Sequence, residues 1–179
     1  VFNKPGEYCM KRNVDFKEYA GYVVQKMASG GVFLTSKYKD TVNTMTIGWG
    51  GICYYWKEPI FQAPVRYSRF SHDLIEQSGV FTVSLPLPGE DMSKQIAYCG
   101  KHSGRDVDKF KECGITACAA EKVDVPVIKE CSLHFECEVV FKTDINKENL
   151  AEEIDSKWYP DYHTVFFGKI VACYITSED

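Results

Sequence analysis

The sequence has little of the equipment with which proteins do chemistry unaided. Its 179 residues carry four histidines, His72, His102, His134 and His163, scattered along the chain, and none forms a His-x-x-x-His or His-Glu-x-x-His pair. Among the eight cysteines, Cys9, Cys53, Cys99, Cys113, Cys118, Cys131, Cys137 and Cys173, there is no Cys-x-x-Cys, and neither Cys113/Cys118 nor Cys131/Cys137 has finger-like spacing. A metal site is therefore not expected. The cysteine density is too low for a disulfide scaffold, and most of these residues sit in apolar, strand-like surroundings, which fits a reducing cytoplasm. There is no Gly-x-Ser-x-Gly elbow, no Walker loop and no Gly-x-Gly-x-x-Gly after a first strand, which removes the usual hydrolase, nucleotide-triphosphate and dinucleotide-fold readings. No basic tract occurs and the net charge is -4, so the field repels nucleic acid and anionic membrane surfaces. No apolar run is long enough to span a bilayer. Residues Val1 to Glu7 contain neither an apolar signal segment nor an initiator Met, and are read as a processed or trimmed end.

What is present is core material and one unusual strand. Hydrophobic residues make up 45% and aromatics 14% of the chain, enough for one domain over residues 1–179, with 1–14 as a loose arm or edge strand. The unusual stretch is Val42-Asn43-Thr44-Met45-Thr46-Ile47-Gly48-Trp49-Gly50-Gly51. Read as a strand, it places Met45, Ile47 and Trp49 on a core face and Thr44, Thr46, Gly48 and Gly50 on the other. That second face is small and nearly bare. Paired glycines in a strand mark a bulge, a bend or a ligand close to the backbone.

Around it the order is strand-rich with short helices between. Apolar residues from Phe16 to Met27 have helical spacing, capped by Asp15 and stopped by Ser29-Gly30-Gly31. Val32 to Ser36 is a strand, and Lys37 to Asp40 a turn into the unusual stretch. Cys53 to Pro59 reads as an aromatic-rich connection and Ile60 to Val65 as a short strand. Ser71 is placed as the cap of a helix ending at Gly79, followed by a strand with Phe81, Val83 and Leu85 on one face. Asp91 to Tyr98 is a short helix, and Ser103 with Asp106 resembles the capping box of another that stops at Gly114. Ser132 to Phe141 alternates, with His134 and Glu136 on a face expected to be exposed. Asn146 to Ser156 is an amphipathic helix, Trp158 to Tyr162 a turn, and Val165 to Ile175 a central strand. The pattern predicts a mainly β fold, a closed antiparallel barrel with helical excursions.

Three features could converge on one planar, anionic ligand. They are the Thr44–Gly50 face, Arg66-x-Ser68 just after a strand, and the helix start at Ser103-Gly104-Arg105 behind Lys101 and His102. Arginine is a bidentate phosphate partner, and a helix start offers free N–H groups and a positive dipole end. Each feature also has an ordinary structural reading: a bulged strand, a surface ion pair, a self-sufficient helix cap. His163 reads as a turn residue or as a pocket liner. A chain without its own nucleophile or metal fits a phosphate-bearing cofactor that carries the reaction.

Four blocks in order make this pattern specific. Asn43-Thr44-Met45-Thr46-Ile47-Gly48-Trp49-Gly50, Val65-Arg66-Tyr67-Ser68-Arg69-Phe70-Ser71, Ser103-Gly104-Arg105-Asp106-Val107-Asp108-Lys109-Phe110 and Tyr162-His163-Thr164-Val165-Phe166-Phe167-Gly168 together resemble the flavin reductase-like, FMN-binding split-barrel family over roughly residues 30 to 175. Tyr67 stands where the family commonly has proline, and Lys101-His102 where a smaller pair is common. The resemblance implies an antiparallel Greek-key split β-barrel with short helices, a homodimer, and FMN near the subunit interface. Backbone groups of Thr46, Ile47 and Gly48 would hold the ring edge. Arg66 and Ser68, with Lys101, Ser103 and Arg105, would hold the phosphate and ribityl chain, and Asn43, Thr44, Met45, Trp49, Ser71 and His163 complete the implied cofactor-binding set. The implied activity passes reducing equivalents from NADH or NADPH through FMN to a flavin, a metal complex or an electron-transfer protein, with no catalytic side chain. The rivals are a flavoredoxin-type electron carrier with little nicotinamide turnover and a non-enzymatic split barrel that binds another ligand.

Overall fold

A computed structural model describes residues 10–177. Strand β1 (Met10–Asn13) precedes helix α1 (Phe16–Ala28), and two hairpins follow: β2 (Val32–Tyr38) with β3 (Thr41–Ile47), then β4 (Gly51–Tyr55) with β5 (Glu58–Arg66). Helix α2 (Phe70–Ser78) leads into β6 (Val80–Leu85). Helices α3 (Ser93–Lys101) and α4 (Lys109–Cys113) come next, then β7 (Ala117–Cys118), β8 (Val127–Ile128), β9 (Leu133–Asp144), α5 (Glu152–Trp158) and β10 (His163–Ser177).

Among the described residues every strand pairing is antiparallel, and the main sheet runs β3-β2-β6-β9-β10-β5-β4 with β1 on the far end of β10. Long β10 is the hinge of this arrangement. Its first half pairs with β5, its last residues with β1, and β9 accompanies it along most of its length. Inward alternation along β2, β5, β6 and β9 delivers Leu34, Phe61, Val65, Phe81, Val83 and Phe135 to one core, which α1 closes with Val23 and Met27. A second cluster forms on the other side of β2, where Phe33 meets Ile96 and Cys99 of α3 and Ile128 of β8. Removing these side chains from water supplies the main driving force for curling the sheet.

Several elements differ from expectation. Cys53 to Pro59 is not a loose connection but a hairpin, because Cys53-Tyr54-Tyr55 has strand propensity and the turn at Trp56-Lys57 takes positive φ angles of 54° and 62°. Without a glycine or asparagine there, the sequence hides that turn. The β9 face carrying His134 and Glu136 is buried, not exposed. The segment before β8 folds over it, and its amides need acceptors: Glu136 accepts from the N–H groups of Glu121, Lys122 and Val123 at 2.7, 2.6 and 3.1 Å. His134 sits between Ser84 Oγ and Thr176 Oγ1 at 3.1 and 3.2 Å, and burial drives its pKa down to about 3. The Asn146–Ser156 helix is split into a 3-10 turn at Lys147–Asn149 and α5, because Leu150 and Ala151 are extended. Of the amino-terminal arm, residues 10–13 form an edge strand, the Val14 N–H donates to the Cys173 carbonyl at 3.0 Å, and residues 1–9 lie outside the described residues.

Gly168 of β10 lies at a register shift, and a β-carbon there would stand 2.5 Å from Phe81 Cζ and 2.7 Å from Cys137 Cβ. Gly21, in the middle of α1, has no atom within 4 Å of such a carbon. Gly168→Ala should therefore lower stability by about 1–3 kcal/mol through overpacking, while Gly21→Ala should raise it by about 1 kcal/mol through helix propensity. Urea midpoints of the two variants, moving in opposite directions, are the check.

Candidate functional site

The sheet does not close. β3 pairs only with β2 and lies at one end of the strand order, while its end comes against β5 across the barrel. The two strands are the lips of a split. The chain leaves the β3 lip through Gly48-Trp49-Gly50 and crosses to β4, the hairpin partner of the β5 lip. A β-carbon on Gly50 (φ 117°) would collide with the Gln62 carbonyl oxygen at 2.1 Å, so this crossing requires glycine.

Along the split runs a groove in two adjoining parts. The first, about 160 Å³, is lined by Met45, Thr46, Ile47, Gly48 and Trp49 from the β3 lip, Pro64 and Arg66 from β5, and by Arg69 and His163. The second, about 140 Å³, is lined chiefly by Asn43, Ser68, Lys101, Ser103, Gly104 and Lys109. Met45 and Arg69 belong to both.

The Thr44/Thr46 face is not the bare one. Thr44 Oγ1 bonds to Thr35 Oγ1 at 3.1 Å, Thr46 Oγ1 donates to the Ile96 carbonyl, and Gly100 lets α3 approach Thr46 closely. An amphipathic helix needed an apolar and small surface to dock on, and this strand face supplied it. What remains open is the edge of β3, where backbone polar groups have no partner strand. Trp49 leaves the core as well. β3 ends at Ile47, and Trp49 turns out 37% exposed, edge-on to Trp158 at 5.7 Å and tilted over His163 at 5.0 Å.

The second part is strongly cationic. Lys109 is 3% exposed, with Nζ donating to the Thr44 and Cys99 carbonyls at 2.9 Å each. Burial pushes its pKa down. Arg69 donates to the Gly100 carbonyl at 2.9 Å. Neither of these groups, nor Lys101, pairs with a carboxylate among the described residues. Buried charge without a counter-ion is costly, so the arrangement suits an anion. Gly104 packs so tightly on Asn43 that a β-carbon would meet its Oδ1 at 2.0 Å, which holds the 102–104 turn against the β3 lip.

Other expected residues are placed differently. Ser103 does not start a helix: its Oγ accepts from the Arg105 N–H, and the cap of α4 is Asp108, which accepts from the Lys111 N–H. The groove therefore has side-chain cations where a helix dipole was expected. Arg105 is held by the Ser68 carbonyl and by Asp73 at 2.7 Å. Ser71 is not a cap either; α2 begins after Arg69, and Ser71 is buried with Asn43 Nδ2 donating to it at 2.9 Å. Ser68 lines the groove but gives its hydroxyl to Asp161. Arg66 Nη2 reaches the Trp158 carbonyl at 3.2 Å. Arg69 and Lys109 were passed over by the motif reading. Their signal was their place within the second and third of the four ordered blocks.

His163 opens β10 against Arg66. It is 5% exposed, and Nδ1 has no hydrogen-bond partner. Burial and then the Arg66 charge lower its pKa to about 4, so the ring is neutral at neutral pH.

An antiparallel barrel left open along one edge, with cations in the opening, defines a ligand-binding split barrel. The flavin reductase like domain family matches residues 24–179. The chain belongs to that family. It is 30% identical over 140 residues to an uncharacterized protein of Pyrococcus abyssi, covering 78% of this chain and 69% of that one. A flavoredoxin from Methanosarcina acetivorans is 28% identical, with TM-score 0.61 over 81% of this chain and 67% of that one. The flavoredoxin of Desulfovibrio vulgaris (Miyazaki F) is 25% identical, with TM-score 0.63 over 83% and 69%. The chain spans about two thirds of the length of the curated relatives it matches. The fold is thus the split barrel of flavin reductase-like proteins, mainly β with short helices.

The electrostatics of the two buried histidines have a consequence for stability. Below an ordinary histidine pKa of 6.5 the unfolded chain takes up protons at positions 134 and 163, while the folded chain refuses them down to about 3 and about 4. The stability is present above 6.5 and is lost as pH falls toward 4. Ligand-free His163→Gln should lose less melting temperature than the parent between about pH 7 and about pH 5. Thermal melts across that range check this; equal slopes would place the burden elsewhere.

Proposed function

We propose that this chain is an FMN-dependent oxidoreductase, a single split-barrel domain over residues 1–179, working in the cytoplasm as a homodimer. Reducing equivalents would come from NADH or NADPH and leave to a flavin, a metal complex or an electron-transfer protein. The observation that carries the reading is the groove itself: an open strand edge leading to Arg69, Lys101 and Lys109, three cations without carboxylate partners among the described residues. A planar ring bearing N–H and C=O groups matches the edge of β3, and a phosphate matches the cations.

When bound, FMN would supply the redox chemistry between a nicotinamide donor and the acceptor. The chain's own residues bind and orient. Thr46, Ile47 and Gly48 offer backbone groups to the ring's polar rim. Arg66, the neutral His163 and Trp49 border the same part of the groove. Arg69, Lys101 and Lys109, with Ser103, hold the charged tail. No side-chain acid or base is needed, since orientation provides the protein's share. Tyr55, Trp56 and Phe141 form an exposed aromatic surface with Phe167, through ring contacts of 5.1 to 6.4 Å, and such a patch supports a dimer.

The flavoredoxin neighbours favour a second reading, an electron carrier that turns over nicotinamide poorly. Trp158 and Tyr159 pack on Trp49, the aromatic that lines one end of the groove, and aromatic rings beside a bound flavin suit electron transfer as well as hydride transfer. Rapid NAD(P)H oxidation with catalytic protein and excess free flavin would separate an enzyme from a carrier.

Titration of the purified protein with FMN should quench flavin fluorescence at one site per chain, with riboflavin binding more weakly. Arg69→Ala should weaken FMN by about tenfold to a hundredfold, the worth of a charge-assisted hydrogen bond, and should leave riboflavin nearly unchanged. A protein that takes up neither flavin would overturn the reading.

A further inference from the structure

Behind the cationic end of the groove two thiols meet. Cys99, near the end of α3, and Cys113, the last residue of α4, bring their sulfurs to 3.9 Å. Cys99 is fully buried and Cys113 partly exposed. The segment between them holds Lys101, Ser103, Gly104 and Lys109, which line the second part of the groove. The Cys99 carbonyl is itself one of the two acceptors of Lys109 Nζ, and the carbonyl of the next residue, Gly100, accepts from Arg69.

We propose that Cys99 and Cys113 are a reversible dithiol–disulfide site whose oxidation state is felt at the anion end of the groove. The geometry needs only a small closure, since a disulfide bond is about 2 Å long and the sulfurs are already in contact. The order of events follows from access. Cys113, as the thiolate, attacks a low-molecular-weight disulfide such as oxidised glutathione, forming a mixed disulfide and expelling one thiolate. Cys99 attacks the Cys113 sulfur and expels the second thiolate, which takes up the proton that Cys99 gives up. The pair loses two electrons and two protons, and the external disulfide becomes two thiols.

Closure draws the end of α3 toward the end of α4. That motion pulls on the Cys99 and Gly100 carbonyls that seat Lys109 and Arg69. The bridged form should therefore grip a phosphate-bearing ligand less well, and here the inference rests on the FMN reading. Formation of the bridge does not rest on it.

The test equilibrates the full chain with oxidised and reduced glutathione over a range of ratios, then traps thiols by alkylation. The expected product has lost the mass of two hydrogens, shows a cross-linked peptide joining positions 99 and 113, and returns to the dithiol with dithiothreitol. Cys113→Ser, at a partly exposed position, should abolish that peptide while keeping the parent's circular dichroism. Oxidised protein should bind FMN about tenfold more weakly than reduced protein, and Cys113→Ser should show no such difference. A glutathione adduct that stays on Cys113 unresolved, or no 99–113 peptide at any ratio, overturns the disulfide site whether or not FMN binds. A bridge that forms while FMN affinity stays the same overturns the coupling and leaves the flavin reading standing. A bridge that forms in a chain that takes up no FMN in either state also overturns the coupling, and then the flavin reading falls with it.

Discussion

The ammonium of Lys109 is the point at which the site is tied together. It lies out of water with two carbonyl acceptors, one on β3 and one on α3, and it belongs to α4. Three separate elements are thereby fixed to each other by one charge. The group makes two hydrogen bonds and has three N–H donors. Burial lowers its pKa, and Arg69, another cation, acts in the same direction. A folded chain keeps such a charge in place only if something compensates its desolvation, and two neutral carbonyls do so in part. The rest of the groove can be understood as the surroundings of an anion that completes this set.

The position of the opening follows from how the sheet ends. A barrel closed edge to edge would pair every strand and leave no free backbone edge for a ligand. Here β3 stops at Ile47, and the glycines at 48, 50 and 51 let the chain swing across to β4 instead of pairing onward. The same two lips therefore provide a free backbone edge, one arginine at the end of β5, and a histidine at the start of β10 directly opposite it in register. Burial first, and then the Arg66 charge, keep His163 uncharged, so it adds a polar ring without adding another positive charge.

The sequence was most legible where a local rule has a single answer. Asp15 caps α1 by accepting from the Lys17 N–H, and Gly79 and Gly114 end α2 and α4 with left-handed φ angles of 70° and 62°. The inward faces of β6 and β9 also follow from alternation. It was least legible where tertiary structure decided. Nothing local says that the segment before β8 covers the polar face of β9, so His134 and Glu136 looked like solvent-facing residues. The Ser103 capping pattern lost to Asp108, because the turn around Gly104 is held down on Asn43 before a helix can begin.

The strand that organises the chain shows how a correct motif can carry an incorrect geometry. Small residues at Thr44, Thr46, Gly48 and Gly50 suggested a bare face for a flat ligand. On the first two of these positions the face is occupied, since α3 docks there with Gly100 against Thr46 and the Ile96 carbonyl on its hydroxyl. Small side chains serve a close helix as well as a close ligand, and the pattern alone does not distinguish them. Docking α3 on that face is what brings the 99–104 segment, with its cations and its turn, alongside the free edge of β3. The small residues thus contribute to the site indirectly: they set the distance between a helix and a strand, and the groove is the space left between that helix's end and the strand's unpaired backbone.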